Sequence, residues 1–400
     1  MKILLVQPDF PIPAKSKYFR LFLPIGLLKL ASYYRKKGHK VKLVKGKTDL
    51  NEFKPDRIMI TSLFTYWAKY VKDCVHFYKK QFPAAKIIVG GIYASLMPEH
   101  CKKYTGCDEV FVGIHKGAEG CKPAYDLLFN PHPPYQIIHA SRGCFRKCPF
   151  CGVWKIEEQI TFKKSIKKEI CSNKLIFFDN NLLANPYIEH ILNEIANTKW
   201  NGKPIKCEAV CGIDFRILLQ NPKLARLLKK ARFENLRIAW DWHYDQWKEV
   251  KKALDLLTRV GYKSKDVFIF MLYNWEIPFE EMEKKRIKCW EWKVQIADCR
   301  YRPLNQIYDN YNSAKIQTHE DYYIHPKWTD AEVKQFRKNV RRQNICVRFG
   351  LNYYSKVLEK RKMPPEETLK LKKLPYNEAK KILKDAWAPS YFSPPESKVY

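Results

Sequence analysis

Between residues 136 and 305 the chain repeats one pattern. Apolar, β-rich runs start near Gln136, Lys174, Ile205, Leu236, Asp266 and Lys293, and helical periodicity fills residues 186–198, 222–233, 244–260 and 278–290 between them. The starts lie about 30 residues apart, the length of one βα unit. Parallel neighbours need a crossover connection, so this spacing predicts parallel strands with helices outside them. Six strands in this order predict a partial (β/α)6 barrel, with a flat sheet as the alternative. In either case the chemistry belongs at the carboxyl ends of the strands, where the loops converge.

Residues 1–128 alternate in the same way but with a different plan. An apolar run at 3–7 is followed by helical periodicity over 23–37, with Leu27, Leu28, Leu30 and Ala31 on one side and Gly38 as the stop. Further strands are expected at 41–44, 57–62, 86–90 and 109–113, with a helix over 66–82. This is the pattern of an open, doubly wound, Rossmann-like α/β domain. Residues 129–135 hold three prolines and read as a stiff linker. From residue 306 onward a basic helical region is expected. It comprises one amphipathic helix over 328–344 with Thr329 as N-cap before Asp330 and Glu332, shorter helices at 360–373 and 377–387, and a proline-containing tail over 388–400.

Composition narrows the setting. At 400 residues, two or three domains are expected. No run approaches the roughly 18 apolar residues of a membrane span, and the apolar start is too short for a signal peptide. The expectation is a cytoplasmic protein without a membrane span. The net charge is +33, from 74 Lys and Arg against 41 Asp and Glu. Such an excess attracts nucleic acid, but the basic residues are dispersed along the chain, as on a lysine-solvated surface. Thirteen cysteines without an export signal argue against a disulfide framework. Cys74, Cys101, Cys171 and Cys346 sit in apolar or helical surroundings and read as small core residues.

The strongest local signal is Ser141-Arg142-Gly143-Cys144-Phe145-Arg146-Lys147-Cys148-Pro149-Phe150-Cys151-Gly152. This C-x3-C-x2-C triad falls on the loop after the first strand of the second series. Three thiolates on one short loop can hold three irons of a cubane cluster and leave the fourth open. The alternative is structural zinc, which takes four tetrahedral ligands. No second pair stands at zinc-ribbon spacing, and Cys207-x3-Cys211 is far along the chain and inside an expected strand.

With Phe150 directly before the last cysteine and Gly152 directly after it, the segment resembles the signature of the radical S-adenosylmethionine (SAM) superfamily, and the resemblance extends from 136 to about 305. It implies a 4Fe-4S cluster on Cys144, Cys148 and Cys151, with SAM chelating the open iron. An electron from a donor such as ferredoxin or flavodoxin then cleaves SAM to methionine and a 5′-deoxyadenosyl radical, and Phe150 lies against the adenine. Asp179-Asn180-Asn181 stands where the family often has a Gly-Gly-Glu-like turn that meets the SAM amino group. Lacking those glycines, this chain would use Asp or Asn oxygens there, or Asp179 serves only a turn. Asp241, after Ala239-Trp240, takes the place near the SAM ribose. Arg216 and Glu208 are candidates for the SAM carboxylate or for pairing each other. Cys289 and Cys299 are thiol candidates for hydrogen donation, with core burial as the alternative.

The first 128 residues resemble the cobalamin-binding domain that precedes the barrel in one radical SAM subgroup. The matching pieces are Leu23-Pro24-Ile25-Gly26-Leu27-Leu28, Pro55-Asp56-Arg57-Ile58 and Val89-Gly90-Gly91. Gly90 and Gly91 would let a flat cofactor approach the backbone. No D-x-H-x-x-G occurs, so no histidine is placed to ligate cobalt from below, which cobalamin-dependent members commonly lack as well. Where that subgroup shows Gly-Glu-x-Glu, this chain has Gly113-Ile114-His115-Lys116-Gly117-Ala118-Glu119. The domain therefore binds cobalamin, or it holds a substrate or partner. With cobalamin the resemblance implies methyl transfer to an unactivated carbon; without it, rearrangement, oxidation or sulfur insertion. Two other readings stand beside these. One is an RNA-modifying radical enzyme that docks phosphates on Arg337, Lys338, Arg341 and Arg342. The other is a non-enzymatic metal- or nucleic-acid-binding protein. The substrate is not legible from one sequence.

Overall fold

Strand β1 (Lys2–Gln7) buries Ile3, Leu4, Leu5 and Val6 completely, on both faces. Such a run fits only the interior of a parallel sheet covered on both sides. The computed structural model, which describes residues 1–12, 23–128, 133–351, 365–375, 378 and 381–382, places it there. After β1 come α1 (Ile25–Lys36), β2 (Lys40–Lys45), β3 (Arg57–Ser62), α2 (Ala68–Gln81), β4 (Lys86–Gly91), α3 (Ile92–Leu96), α4 (Pro98–Thr105), β5 (Glu109–Val110) and α5 (Lys116–Glu119). The sheet order is β2-β1-β3-β4-β5 and every pair is parallel. This is a Rossmann-like doubly wound sheet whose order reverses beside β1, where such folds take their ligands. β2 is an edge strand and exposes Lys40, Lys42 and Lys45, charges that discourage edge-to-edge pairing. The expected fifth strand is shorter than 109–113, pairing only through Glu109 and Val110 before Phe111 donates once more to Val89.

The two faces of this sheet are covered unequally. Leu4, Val6, Ile58, Ile60, Ile87 and Val89 pack under α2 and α4. On the opposite face Ile3, Leu5 and Met59 meet Leu27 and Ala31 of α1. Towards β4 and β5 that second layer leaves a cavity.

The second series follows as β6 (Gln136–Ile138), β7 (Ser141–Arg142), α6 (Val153–Ile156), β8 (Thr161–Phe162), β9 (Lys174–Phe177), α7 (Ile188–Asn197), a hairpin of β10 (Lys199–Trp200) and β11 (Lys203–Pro204), β12 (Lys206–Ala209), α8 (Phe215–Gln220), α9 (Lys223–Lys230), β13 (Arg237–Ala239), α10 (Trp247–Arg259), β14 (Phe268–Tyr273), α11 (Phe279–Glu291) and β15 (Gln295–Arg300). The six strands β6, β9, β12, β13, β14 and β15 correspond to the six expected ones. They run parallel in chain order, as two three-stranded sheets rather than one. The junction is carried by two isolated parallel bridges, Cys207 to Phe233 and Ile213 to Ile238. One apolar core runs beneath all of them.

Helix α12 (Asp330–Phe349) opens on a full capping box between Thr329 and Glu332, as its Thr-x-x-Glu start predicts. It runs five residues past the expected end because its stop is Gly350 in the left-handed conformation. Val333, Phe336 and Val340 join the main core. Asn344 pairs with the free edge of β15, its Oδ1 accepting from Ile296 N at 2.8 Å and its Nδ2 donating to Ile296 O at 2.7 Å. A further helix spans Pro365–Lys373. The expected phosphate-docking face is broken, because Arg342 is buried while Arg337, Lys338 and Arg341 are exposed. Burial of Arg342 follows from helical period: it lies three positions past buried Asn339, which donates to Glu283 Oε2 at 3.1 Å, on α11. Residues 129–132 of the expected linker, most of 377–387 and the tail 388–400 lie outside the described residues. At the near end of that linker, Tyr135 is buried against Leu23, Ile137 and Ile176, so it is anchored to the core.

Candidate functional site

The cysteine loop leaves the carboxyl end of β6 and is fixed at both ends. Asp179, two residues past the end of β9, is buried, and its carboxylate accepts from Ala140 N at 3.0 Å and from Ser141 Oγ at 2.7 Å. Burial pushes this carboxyl up to about 6, against the pull of those donors. Asp179 thus ties the second strand to the start of the loop. Gly143 has φ +76°, and a Cβ there would stand 3.0 Å from Gln159 O and 3.1 Å from Ile160 Cα. Only glycine fits without strain. Further along, Arg146 Nε donates to Asp214 Oδ2 at 2.7 Å, and Trp154 Nε1 donates to Cys148 O at 3.1 Å.

Cys144, Cys148 and Cys151 are all partly accessible. The Cys144 sulfur has two N–H donors aimed at it, Arg146 N at 3.4 Å and Asn181 Nδ2 at 3.9 Å, the arrangement that suits a thiolate. Burial, then the charges of Cys151, Asp241 and Cys144, push the Cys148 thiol up. Burial also raises Cys151, and Cys144, Asp241 and Glu157 add to it. The three sulfurs and the Asp241 carboxylate therefore share one electrostatic neighbourhood. Among the described residues, no three His, Cys, Asp or Glu side chains converge as ligands of a single metal ion.

The other singled-out residues fall around this loop. Asn180 donates to Glu157 Oε2 at 2.8 Å. Phe150 is half-buried, with ring centroids 5.7 Å from Trp242 and 5.8 Å from Trp275. Asp241 follows the buried Trp240 and is half-buried; burial pushes its carboxyl up to about 6. Arg216 and Glu208 do not pair with each other. Arg216 binds Asp214, two residues before it, at 2.8 Å, and Glu208 on β12 binds Arg237 on β13 at 2.7 Å. Cys289 is buried, whereas Cys299 lines a cavity. Cys211 lies beyond the end of β12 and is exposed, not inside a strand.

Three cavities run side by side along the seam between the two halves. The first, of about 400 Å³, lies on the thinly covered face of the N-terminal sheet. Ile25, Leu30, Tyr34, Met59 and Ile88 line its apolar part, and Gly90 and Gly91 are among its walls. Gly91 has φ +100° and a Cβ on it would collide with the Ser62 backbone, so the β4 end stays bare. His115 also lines this cavity. Its Nδ1 accepts from Ala118 N at 3.1 Å, so the neutral ring carries its proton on Nε2. The second cavity, of about 570 Å³, shares Gly113, Ile114, Glu119 and Arg142 with the first. The third, of about 360 Å³, shares Ile156 and Glu157 with the second, and Phe64, Phe150, Asn180 and Cys299 are on its wall.

Several contributors escaped sequence reading. Glu119, Arg142 and Glu157 form a charged chain between the halves. Lys285 is fully buried and donates to both Trp240 O and Trp242 O at 2.7 Å, clamping the backbone on either side of Asp241. The only local signal for Arg142 was its place two residues before the first cysteine.

Comparison with known proteins adds one match. Residues 17–120 match the family of the B12 binding domain, a quarter of the chain that contains the first cavity's glycines. No curated protein matches the chain. No helix among the described residues is long and apolar enough to cross a membrane.

Proposed function

We propose that this chain is a radical SAM enzyme whose N-terminal domain binds cobalamin, with the six-stranded series acting as a partial (β/α)6 barrel. The supporting observation is adjacency. A domain matching B12-binding proteins lies along the same seam as three cysteines on one loop, with donors aimed at the first sulfur. The residues fit both groups. Three thiols on one loop suit three irons of a cubane, and the donors on Cys144 offset thiolate charge. The first cavity offers an apolar slot beside two bare glycines, which suits a flat macrocycle with an aromatic base. His115 supplies no lone pair there, so the cofactor would be held without an imidazole from this wall. When bound, the cluster supplies one electron to cleave SAM to methionine and a 5′-deoxyadenosyl radical, and cobalamin supplies a transferable methyl group.

The chain's own residues then have defined tasks. Cys144, Cys148 and Cys151 hold the cluster, and Asn181 hydrogen-bonds the first thiolate. Asp241 is placed to accept from ribose hydroxyls, held in position by the Lys285 clamp. Phe150 offers a face for adenine beside Trp242. Asp179 organises the loop's backbone; contact with the SAM amino group falls to Asn180 or Asn181. Gly90 and Gly91 allow close approach of the corrin ring, and the third cavity houses the unknown substrate. An acidic donor such as ferredoxin or flavodoxin would complement the net charge of +33. Docking of RNA on α12 is disfavoured, since Arg342 is turned into the protein.

The decisive experiment is anaerobic purification with iron and sulfide, then addition of dithionite and SAM. We expect a sulfide-containing cluster, 5′-deoxyadenosine as product and, in a sample loaded with hydroxocobalamin and desalted before dithionite is added, retained cobalamin seen by visible absorption. Cys144→Ala, Cys148→Ala and Cys151→Ala should each abolish 5′-deoxyadenosine while the fold persists by circular dichroism. Zinc without sulfide, and no SAM cleavage, would sink the proposal.

A further inference from the structure

Four charged side chains link the first cavity to the cysteine loop without a gap. Lys29 on α1 lies 3.1 Å from Glu119 Oε1 and donates to the Glu119 carbonyl at 2.9 Å. The Glu119 carboxylate takes Arg142 Nε at 2.9 Å and Nη2 at 3.1 Å. The remaining nitrogen, Nη1, reaches Glu157 Oε1 at 3.3 Å. Glu157 Oε2 then accepts the Gly143 N–H at 2.6 Å and the Asn180 amide at 2.8 Å. The chain thus starts on a helix of the N-terminal domain and ends on the backbone directly before Cys144.

Geometry and burial give this chain its character. A planar guanidinium with five donors can serve two carboxylates at once, and an ammonium cannot reproduce that fork. The side chains of Lys29, Glu119, Arg142 and Glu157 are 9%, 24%, 19% and 13% exposed. They are shielded by protein on one side and by cavity water on the other. Lys29, Glu119 and Arg142 line the first cavity, and Glu119, Arg142 and Glu157 line the second. A bulky ligand filling these cavities removes that water, lowers the local dielectric and strengthens every link in the chain. The last link is a hydrogen bond to Gly143, the glycine that opens the cysteine loop.

We infer that Arg142 is a positioning residue that couples occupancy of the N-terminal cavity to order in the cysteine loop, so that the loop is held firmly only when cobalamin is in place. The inference rests on the cobalamin reading and adds regulation to it. The loop's glycine is held by Glu157, and Glu157 is tied through Arg142 to Glu119 of α5, which belongs to the N-terminal half and lines the first cavity.

The test is hydrogen exchange of residues 143–152 in the anaerobically reconstituted protein, with and without hydroxocobalamin, and with visible absorption reporting binding. In the wild type, binding should slow exchange of this segment by about fivefold or more, the lower end of ordinary coupling between sites. Compared at equal occupancy of hydroxocobalamin, fixed by its visible absorption, Glu119→Gln and Arg142→Lys should lose the slowing. Should Glu119→Gln fail to fold, as judged by circular dichroism, Arg142→Lys alone decides, because it keeps the charge and removes only the fork. Bound hydroxocobalamin without slowing in the wild type, or full slowing in Arg142→Lys, overturns the inference and leaves the cobalamin reading standing. Absence of any bound hydroxocobalamin overturns both.

Discussion

Lys285 carries an ammonium where no solvent reaches it. Two carbonyls at 2.7 Å and the Trp240 indole at 4.9 Å replace its water. Burial nevertheless pulls its pKa down to about 8, with the Asp241 charge acting in the opposite direction. The unfolded chain would titrate this lysine near pH 10.4. Below about pH 8 both states are protonated and the folded state bears the whole cost of burying the charge. Between about pH 8 and about 10.4 the folded state releases its proton while the unfolded state keeps it, so stability from this site rises with pH. The difference in urea midpoint between wild type and Lys285→Met should therefore shift in favour of the wild type from pH 7.5 to pH 9.5, on the order of the window just derived. A pH-independent difference would show that buried Lys285 keeps its proton throughout this range, its charge fully offset by the two carbonyls and Asp241. Nothing in the sequence separates Lys285 from Lys284 or Lys288, because a helical pattern marks a lysine as solvated until the neighbouring strand end is known. The cysteine triad and Phe150 could be singled out as candidates for the opposite reason: the pattern that marks them is local spacing. Arg142 and Glu119 are 23 residues apart, beyond any local pattern.

Elements bring these residues together, and two of them rest on single residues. Gly143 starts the cysteine loop at φ +76° with backbone atoms close on the side where a Cβ would stand. Gly143→Ala should cost about 1–3 kcal/mol in urea unfolding, from strain at positive φ together with the close contact. An unchanged midpoint would mean that the loop has another stable conformation. Asn344 caps the open edge of β15 with both amide atoms. Asn344→Leu leaves a strand N–H and C=O without their amide partner and should cost about 1–3 kcal/mol. It should also produce concentration-dependent association in sedimentation, as bare edges do; a monomer of wild-type stability would contradict the capping role. The helices and the six strands were readable because period and turn residues are local, and the Thr329 capping box was readable for the same reason. The two-residue pairing of β7 with β8 was not, since no periodicity exists over two positions. Nor was the break between β12 and β13, which depends on where Gly212, at φ +90°, turns the chain.

Across the whole molecule the seam is where residues of both halves line the same cavities. Arg142, from the second half, stands in the wall of a cavity otherwise built from α1, the N-terminal sheet and the residues around α5. A second crossing lies at the third cavity, where Arg302 sits 4.9 Å over the Tyr66 ring and binds Asp309 at 2.6 Å. A ligand that binds only the folded N-terminal domain should therefore stabilise the far half as well. At a hundredfold excess over its Kd, hydroxocobalamin should add about 2.7 kcal/mol to the folded state. The tryptophans report where that stabilisation goes, because Trp67 is in the N-terminal domain and the other ten follow residue 150. If the seam transmits binding, tryptophan emission and far-ultraviolet circular dichroism should shift to higher temperature together when hydroxocobalamin is added. Were the circular dichroism transition to split, with tryptophan emission unmoved, the halves would be energetically separate. The charged chain through Arg142 would then be a contact without mechanical consequence. Arg142→Lys should bring the wild type partway to that split, because the domain that binds the ligand would keep its own gain while passing less of it across the seam.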